Sequence, residues 1–323
     1  MGLMGRLLAV LLLSAACTTG SQPPAQTSSA APSASPASSA CRLPVVIRRF
    51  DITAHTWGTD STGFLTYPDG GFAPANATGV RYDATRQLWL PAGVPTPDGA
   101  SYVYADSGGA IHVVTVESGQ DRVLVTGSWV ALGFVGSTLY LAESITNPPG
   151  GFAGGGYREG RLAKADLSGG APTFVTQHAG PWWVSPLGAW TLDRADGMQQ
   201  APDRVLHADL ATGDVHPWLT GIADVTIVGF DAAGHPFVVS QGGIRVFLLI
   251  DSLTAQSIYT GARESGWPDS PYYIDGNKVW FSGFSIKDPT FEAPSWLYMP
   301  GAGLQPSVGV PGAQVSVAGP CVR

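Results

Sequence analysis

An all-β chain, folded as one ring of repeated sheets, is what the sequence predicts, and three observations predict it. Between Val94 and Gly261 one grammar recurs: an apolar strand, a turn, an alternating strand, a loop, a third strand ending near Asp or Ser-Gly, and a short fourth strand. These strands mix β-branched and aromatic residues at a period of two, and almost no stretch carries a helical period. The chain is rich in Gly and Pro while charged residues make up only 13% of it, which suits sheets better than exposed helices. Self-similarity at this spacing is the mark of a β-propeller, whose units bury their faces only against their neighbours.

The first full copy runs Val94-Pro95-Thr96-Pro97-Asp98-Gly99, then Ser101 to Ala105, Ala110 to Glu117 and Arg122 to Thr126, with Pro-Asp-Gly as a hairpin-type turn. Val130 to Phe134, Thr138 to Glu143, Arg161 to Leu167 and Pro172 to Thr176 make the next. A third uses Trp182 to Ser185, Ala189 to Asp193, Arg204 to Leu210 and Val215 to Leu219, turning on Ala211-Thr212-Gly213-Asp214. The fourth takes Val225 to Phe230, Pro236 to Ser240, Ile244 to Ile250 and Gln256 to Tyr259. A looser fifth starts at Tyr272, continues through Lys278 to Gly283 and resumes at Ser295 to Met299. The ends are incomplete alone: Leu43 to Phe50, Gly63 to Tyr67 and Arg81 to Leu90 supply later strands of a blade, and Ala313 to Ala318 supplies one more. Joining them gives a sixth, composite N/C-terminal blade and closes a single propeller with no open edge. A seven-bladed ring or a pair of β-sandwiches is the structural alternative.

Upstream, the chain reads as an export signal. Arg6 gives a positive start, Leu7 to Leu13 an apolar stretch, and Ser14-Ala15-Ala16-Cys17 a small-residue cleavage site with a thiol behind it. This segment resembles a bacterial lipoprotein signal, with Ser14 where that pattern usually carries Leu. The resemblance implies cleavage before Cys17, diacylation of its thiol with palmitate-like chains, and lipid anchoring on the extracytoplasmic face of the cell membrane. An ordinary secretory signal cut elsewhere is the alternative, and it leads to the same side of the membrane. Residues 1–16 are then a signal peptide, and 17–40, built of Ser, Ala, Pro, Thr and Gln without charge, a disordered tether. Its coil dimensions give a reach of several tens of ångströms. Residues 41–323 form the propeller domain, and no stretch reaches the roughly 20 apolar residues of a membrane-spanning helix.

With Cys17 committed to lipid, Cys41 and Cys321 remain, at the two ends of the folded region. Outside the cytoplasm two such thiols are expected to pair as a disulfide. A composite blade would set them side by side, so the inference from compartment and the inference from repeats agree.

Charge and motifs narrow the chemistry. A formal net charge of -7, with lysines only at Lys164, Lys278 and Lys287, argues against a nucleic-acid partner. No cofactor and no metal are expected. His55, His112, His178, His207, His216 and His235 are dispersed and read as strand or loop residues, and two lone cysteines lack a zinc ligand set. No Gly-x-Ser-x-Gly elbow is present. Gly150 to Gly160 lacks the Lys-Ser/Thr ending of a phosphate loop and reads as a long loop.

Residues 41 to 321, with the Pro97-Asp98-Gly99 turn, resemble six-bladed propellers of the TolB-like type. Tyr82-Asp83 with Leu88-Trp89-Leu90-Pro91 is similar to a segment of bacterial lipoproteins of this build. A non-enzymatic module binding an extracellular ligand or protein is favoured, because the sequence shows no reaction centre. Second comes an extracellular lyase or hydrolase acting on sugar polymers, with His178, Glu143, Asp196, Arg194 and Glu264 as candidates for its acid/base pair. A structural role in the envelope is third. The strand assignment places Trp57, Trp129, Trp182, Trp183 and Trp267 on one loop-bearing face, together with His55, His178 and Arg194. The same face carries the insertions 145–160, 195–203 and 285–294. Aromatic rings on long loops make stacking platforms, so Trp57, Trp129, His178, Trp182, Trp183, Arg194 and Trp267 are the ligand-binding candidates. Trp129, Trp182 and Trp267 are the expected anchors, partly exposed around one cavity; the alternative is that these tryptophans wedge between blades as core.

Overall fold

A computed structural model of the chain describes residues 40–144, 160–193, 201–240, 244–286 and 291–323. The expected signal peptide, Cys17, the tether, Arg194 and Asp196 lie outside the described residues. Six four-stranded antiparallel sheets form the blades of one β-propeller. In the order of hydrogen bonding, blade 1 holds Val94–Pro95, Ser101–Ala105, Ile111–Thr115 and Asp121–Val125, and blade 2 Trp129–Val135, Thr138–Glu143, Gly160–Ala165 and Thr173–Gly180. Blade 3 holds Trp182–Ser185, Gly188–Asp193, Arg204–Ala208 and Val215–Thr220, and blade 4 Val225–Phe230, Pro236–Ser240, Arg245–Leu249 and Ala255–Thr260. Blade 5 is Trp267–Asp275, Lys278–Phe284, Trp296–Met299 and Gly303–Pro306.

Blade 6 is composite, as the repeat demanded. Its first strand is the C-terminal Gln314–Val317, followed by Cys41–Arg48, Ser61–Tyr67 and Phe72–Pro74 from the other end of the chain. Val45 pairs with Val317 and Arg48 with Gln314, so the two termini share one sheet. Cys41 and Cys321 are bonded, with Cα atoms 5.7 Å apart across a sequence separation of 280 residues. Beside that bond Arg42 and Val322 exchange backbone hydrogen bonds of 2.7 and 2.9 Å, which ties down the last residues as well.

The structure corrects the strand assignment at two places. Arg81 to Leu90 is not a strand of the composite blade: Arg81–Asp83 and Leu88–Leu90 pair with each other as a separate two-stranded hairpin, and Phe72–Pro74 takes the fourth place instead. The reason is local. Asp83 accepts hydrogen bonds from the amides of Thr85 and Arg86 at 2.9 and 3.0 Å, which turns the chain back on itself before it can extend. Blade 5 also starts earlier than expected, at Trp267, because Ser270 and Pro271 bulge out of register and interrupt the alternating pattern.

Turns repeat one device. Asp106, Asp166, Asp209, Asp231 and Asp251 each end a strand and accept the amide two residues on, at 2.7 to 2.9 Å. Several of the acidic residues are thereby committed to turn geometry rather than to chemistry. In the Pro97-Asp98-Gly99 turn, Gly99 has φ +66°, a conformation open to glycine at little cost.

Between blades the packing is apolar. Buried clusters join blades 1 and 2 around Val103 and Leu141, blades 2 and 3 around Leu162 and Trp182, and blades 3 and 4 around Trp190 and Val238. Phe237 and Phe281 join blades 4 and 5, and Trp280, Leu43 and Val315 join blades 5 and 6. Blades 6 and 1 meet differently. There the extra hairpin stands between them: the Tyr82 amide donates to Ala318 at 2.6 Å, its ring lies 5.1 Å from Phe64 of blade 6, and the Arg81 guanidinium lies 6.0 Å over the Tyr102 ring of blade 1.

Candidate binding face and central channel

The alternation of strands sets two ends to the ring. One, the loop end, carries the links from second to third strand and from each blade to the next; the other carries the tighter turns. At the loop end the link from second to third strand of blade 6 forms a small hairpin, Phe50–Asp51 with Thr56–Trp57. Trp57 keeps 39% of its surface exposed. Its ring stands 5.3 Å from Phe50 and 5.8 Å from Phe291, and Phe50 and Phe291 are 4.8 Å apart. Arg48 sits 5.9 Å over the Trp57 ring while its Nε and a terminal nitrogen donate to Asp60 at 2.7 and 2.9 Å. That hydrogen-bonded pairing holds the Asp60 carboxyl below the usual carboxylate range. His55 lies at the tip of this hairpin in a left-handed conformation, φ 49°, exposed to solvent.

A second group lies at the start of blade 2. The Trp129 indole donates to the Thr126 carbonyl at 3.1 Å and lies 6.0 Å from Phe174. Arg161 is 3.7 Å over the Phe174 ring and donates to both carboxylate oxygens of Glu143 at 2.9 Å. Glu143 is therefore fixed as an anion: the Arg161 hydrogen bonds pull its pKa down, which removes it as a general acid. Among the described residues no hydrogen bond joins Glu143 to His178, which sets its ring edge-on to Trp182 at 5.9 Å.

Two of the three expected anchors are core. Trp182 is 5% exposed with its indole nitrogen 2.8 Å from the Gly160 carbonyl, and Trp267 is 3% exposed against Phe284. Each opens the first strand of its blade, where blades press together on both sides, and burying an indole there gains more than presenting it to solvent. The expectation that both are exposed around a shared cavity is corrected accordingly. Trp183 is half-buried against the cluster between blades 3 and 4. Of the named tryptophans, Trp57 alone offers a broad exposed ring, and its partners Phe50 and Phe291 went unnoticed because Phe291 is 241 residues from Phe50 in the chain.

The channel side of blade 5 holds the other unusual feature. The bulge in Trp267–Asp275 exposes Ser270 and Pro271 and leaves Asp269 opposite Ser282. Burial pushes the Asp269 carboxyl above its usual value, against the pull of the Ser270 amide, which donates to it at 2.8 Å. Desolvation likewise pushes the hydroxyls of Tyr272 and Tyr273 up to about 12. Tyr272 packs where Gly229 of blade 4 leaves room, since a Cβ on Gly229 would stand 2.6 Å from its ring. Sequence reading missed Asp269, whose only mark is the Pro-Asp-Ser-Pro run that makes the bulge.

Among the described residues, no group of three or more His, Cys, Asp or Glu side chains is placed to hold a metal ion. His112 bridges Asp121 at 2.9 Å and Asp106 at 3.4 Å on the side of blade 1, while His207 and His235 bond the Leu187 carbonyl and Asp231 at 3.0 Å each. These histidines serve strands and turns.

No protein-family model matches the chain, and no curated protein matches it by sequence. Solved structures do match by shape. TolB from Acinetobacter baumannii superposes with a TM-score of 0.51 at 11% identity, covering 87% of this chain and 65% of that one. The chain is a six-bladed β-propeller with TolB-like structural neighbours. It spans about two thirds of the length of that TolB, 65%. Oligogalacturonate lyase from Vibrio parahaemolyticus, at TM-score 0.46 and 12% identity, covers 82% of this chain and 79% of its own. Acylaminoacyl peptidase from Pyrococcus horikoshii, at TM-score 0.49 and 8% identity, covers 84% of this chain and 46% of its own. At such identities the likeness is one of fold, and fold alone assigns no chemistry.

Proposed function

We propose that the protein is an extracytoplasmic β-propeller, anchored to the membrane by lipid on Cys17, that acts as a binding module and takes its ligand or protein partner on the loop end. The observation that supports this reading most is the Phe50–Trp57–Phe291 cluster, with a cationic Arg48 over its exposed indole. A broad ring held by two others and flanked by charge is the kind of anchor on which interfaces concentrate their affinity. The ion pair that fixes Glu143 weighs in the same direction, because it takes away a candidate acid. Photo-crosslinking in intact cells tests the reading. A benzophenone side chain in place of Trp57 is expected to yield a discrete adduct, and one in place of Leu253, which is 95% exposed in a turn of blade 4 at the opposite end, is not. Equal yields from both positions would overturn it.

Lipid attachment is tested separately. Mass spectrometry of the native protein is expected to find an acylated N-terminal cysteine, and Cys17→Ser to release the domain from membranes. The second reading, a lyase or hydrolase of sugar polymers, is favoured by one feature, the desolvated Asp269. It predicts turnover of acidic or neutral oligosaccharides that Asp269→Asn abolishes.

A further inference from the structure

His112 stands where the outer half of blade 1 loses a rung. Between Ile111 and His112 the register to the outer strand shifts, so that Ile111 faces Val125, His112 faces Val123 and Leu124 is left over. The start of that strand, Asp121 to Val123, is exposed. A bulge weakens the ladder locally, and here side chains add what the ladder lacks. The His112 Nδ1 lies 2.9 Å from one carboxylate oxygen of Asp121, whose other oxygen accepts the Tyr104 hydroxyl at 2.8 Å. The Nε2 lies 3.4 Å from Asp106, and the imidazole stacks on the Tyr104 ring with centroids 5.0 Å apart.

The two carboxylates are held differently. Asp106 belongs to the link between the second and third strands, where its Oδ1 accepts the Gly108 and Ala110 amides at 2.8 and 2.9 Å, so its place does not depend on His112. Asp121 opens the outer strand, and its side chain is held by His112 and Tyr104. The next residue, Arg122, donates to the Leu167 carbonyl of blade 2 at 2.6 Å. The other titratable groups nearby are Tyr102, 6.4 Å beyond Tyr104, and Arg81 over the Tyr102 ring. A neutral imidazole has one N–H and can donate to one carboxylate, whereas the imidazolium has two and can serve both. The His112 side chain keeps 18% of its surface exposed, which lets its proton exchange with solvent.

We propose that His112 is a proton-operated latch on the outer strand of blade 1, closed when its imidazolium bridges Asp121 to Asp106 and open when the neutral ring can hold only one of them. On opening, the proton leaves to solvent. The strand start then keeps its ladder and the Tyr104 bond but loses its tie to the fixed link. The hydrogen bond to Asp121 raises the His112 pKa above its ordinary 6.5 against the pull of desolvation, and Asp106 adds to the rise. A histidine raised in the fold contributes stability that is fully present below the unfolded value and lost as the pH climbs through the folded one. The latch is therefore closed in mild acid and opens as the pH climbs past 6.5. The same strand walls a groove with Gly170, Ala171 and Pro172 of blade 2, so opening loosens that wall. None of this rests on the aromatic cluster or on lipid attachment.

Hydrogen exchange of the full chain in non-ionic detergent, followed from pH 5.5 to pH 8.5 and corrected for intrinsic rates, tests the latch. In the wild type, protection at Asp121–Val123 is expected to fall about threefold or more over that range, while Val45 and Ile47 of blade 6 stay unchanged. His112→Gln, which does not titrate, is expected to exchange at both ends of the range as the wild type does at pH 8.5. Asp106→Asn is expected to keep the bond to Asp121 and to move the midpoint of the change to lower pH, because one of the two anions that favour the imidazolium is gone. Protection at Asp121–Val123 that is independent of pH in the wild type, or that changes equally in His112→Gln, overturns the proposal. If His112→Gln does not fold, Asp106→Asn decides: a lowered midpoint supports the latch and an unchanged one overturns it.

Discussion

Blade 6 meets its two neighbours in different ways. Toward blade 5 it closes with a continuous apolar cluster in which Trp280, Leu297, Leu43, Ile47, Val315 and Val317 are all buried, with the disulfide at its edge. Toward blade 1 it closes through an inserted hairpin, held by the Phe64, Tyr82 and Trp89 rings at 5.1 to 5.8 Å, by one backbone bond to Ala318, and by a cation over Tyr102. The first junction is made by the chain's own sheet repeat, and the second by an addition to it. A junction made of core is stable but has no room for chemistry. One made of a wedge places polar atoms, Arg81 among them, where a ring of plain blades would have only methyl groups.

The sharpest test of this contrast compares one large residue from each junction. Trp280→Ala removes an indole that is 1% exposed from the middle of the 5–6 cluster and is expected to cost about 3–5 kcal/mol. Tyr82→Ala at the other junction is expected to cost about 1–3 kcal/mol, because much of what its ring touches is aromatic edge rather than packed aliphatic core. Urea denaturation with a shared m-value measures both. Equal losses would mean that the hairpin is as much core as the cluster, and the contrast would break.

Next in size is the clasp. Cys41→Ser with Cys321→Ser is expected to destabilise the domain by about 2–5 kcal/mol. Hydrogen exchange sharpens the comparison. Without the bond, protection is expected to fall first in Gln314–Val317 and Cys41–Arg48, the two strands that the termini contribute, and to persist in blades 2 to 4. A uniform loss would show that the bond stabilises the ring as a whole rather than its closure. Non-reducing peptide mapping of the native protein checks the pairing itself.

The contrast also marks how far the sequence could be read. Strand alternation, the Pro97-Asp98-Gly99 turn and the half-blade at each end were enough to give six blades and a composite closure, because each of these signals is local or lies at a terminus. The hairpin was misread for a physical reason. Leu88-Trp89-Leu90 has the apolar character of a blade strand, and nothing in the chain says that Asp83 will cap a turn instead of leaving the strand to extend. Trp182 and Trp267 failed as anchors because a tryptophan at the start of a first strand looks the same in sequence whether its ring turns outward or into the seam. The meeting of Phe50 with Phe291 depends on ring closure across most of the chain, and no local pattern carries it.

Acid is expected to separate the two junctions by a smaller margin than any of these substitutions. Desolvation raises the Asp83 carboxyl, but the Arg86 amide, the Arg86 guanidinium at 2.9 Å and the Thr85 amide together outweigh it and leave the pKa below its ordinary value of 3.8. A carboxyl depressed in the folded state contributes stability that is present above the unfolded value and lost as the pH falls through the folded one. The hairpin is therefore expected to loosen below about pH 4, whereas the 5–6 cluster is built of apolar side chains and the disulfide. Hydrogen exchange at pH 3, corrected for intrinsic rates and compared with pH 6, is expected to show lost protection at Tyr82 and Leu90 with Val45 and Ile47 unchanged. Asp83→Asn is expected to cost about 1 kcal/mol at pH 7 and to abolish the difference between the two pH values. If the variant keeps the same acid sensitivity as the wild type, the hairpin is not held by this carboxylate, and the junction between blades 6 and 1 owes its integrity to its aromatic contacts alone.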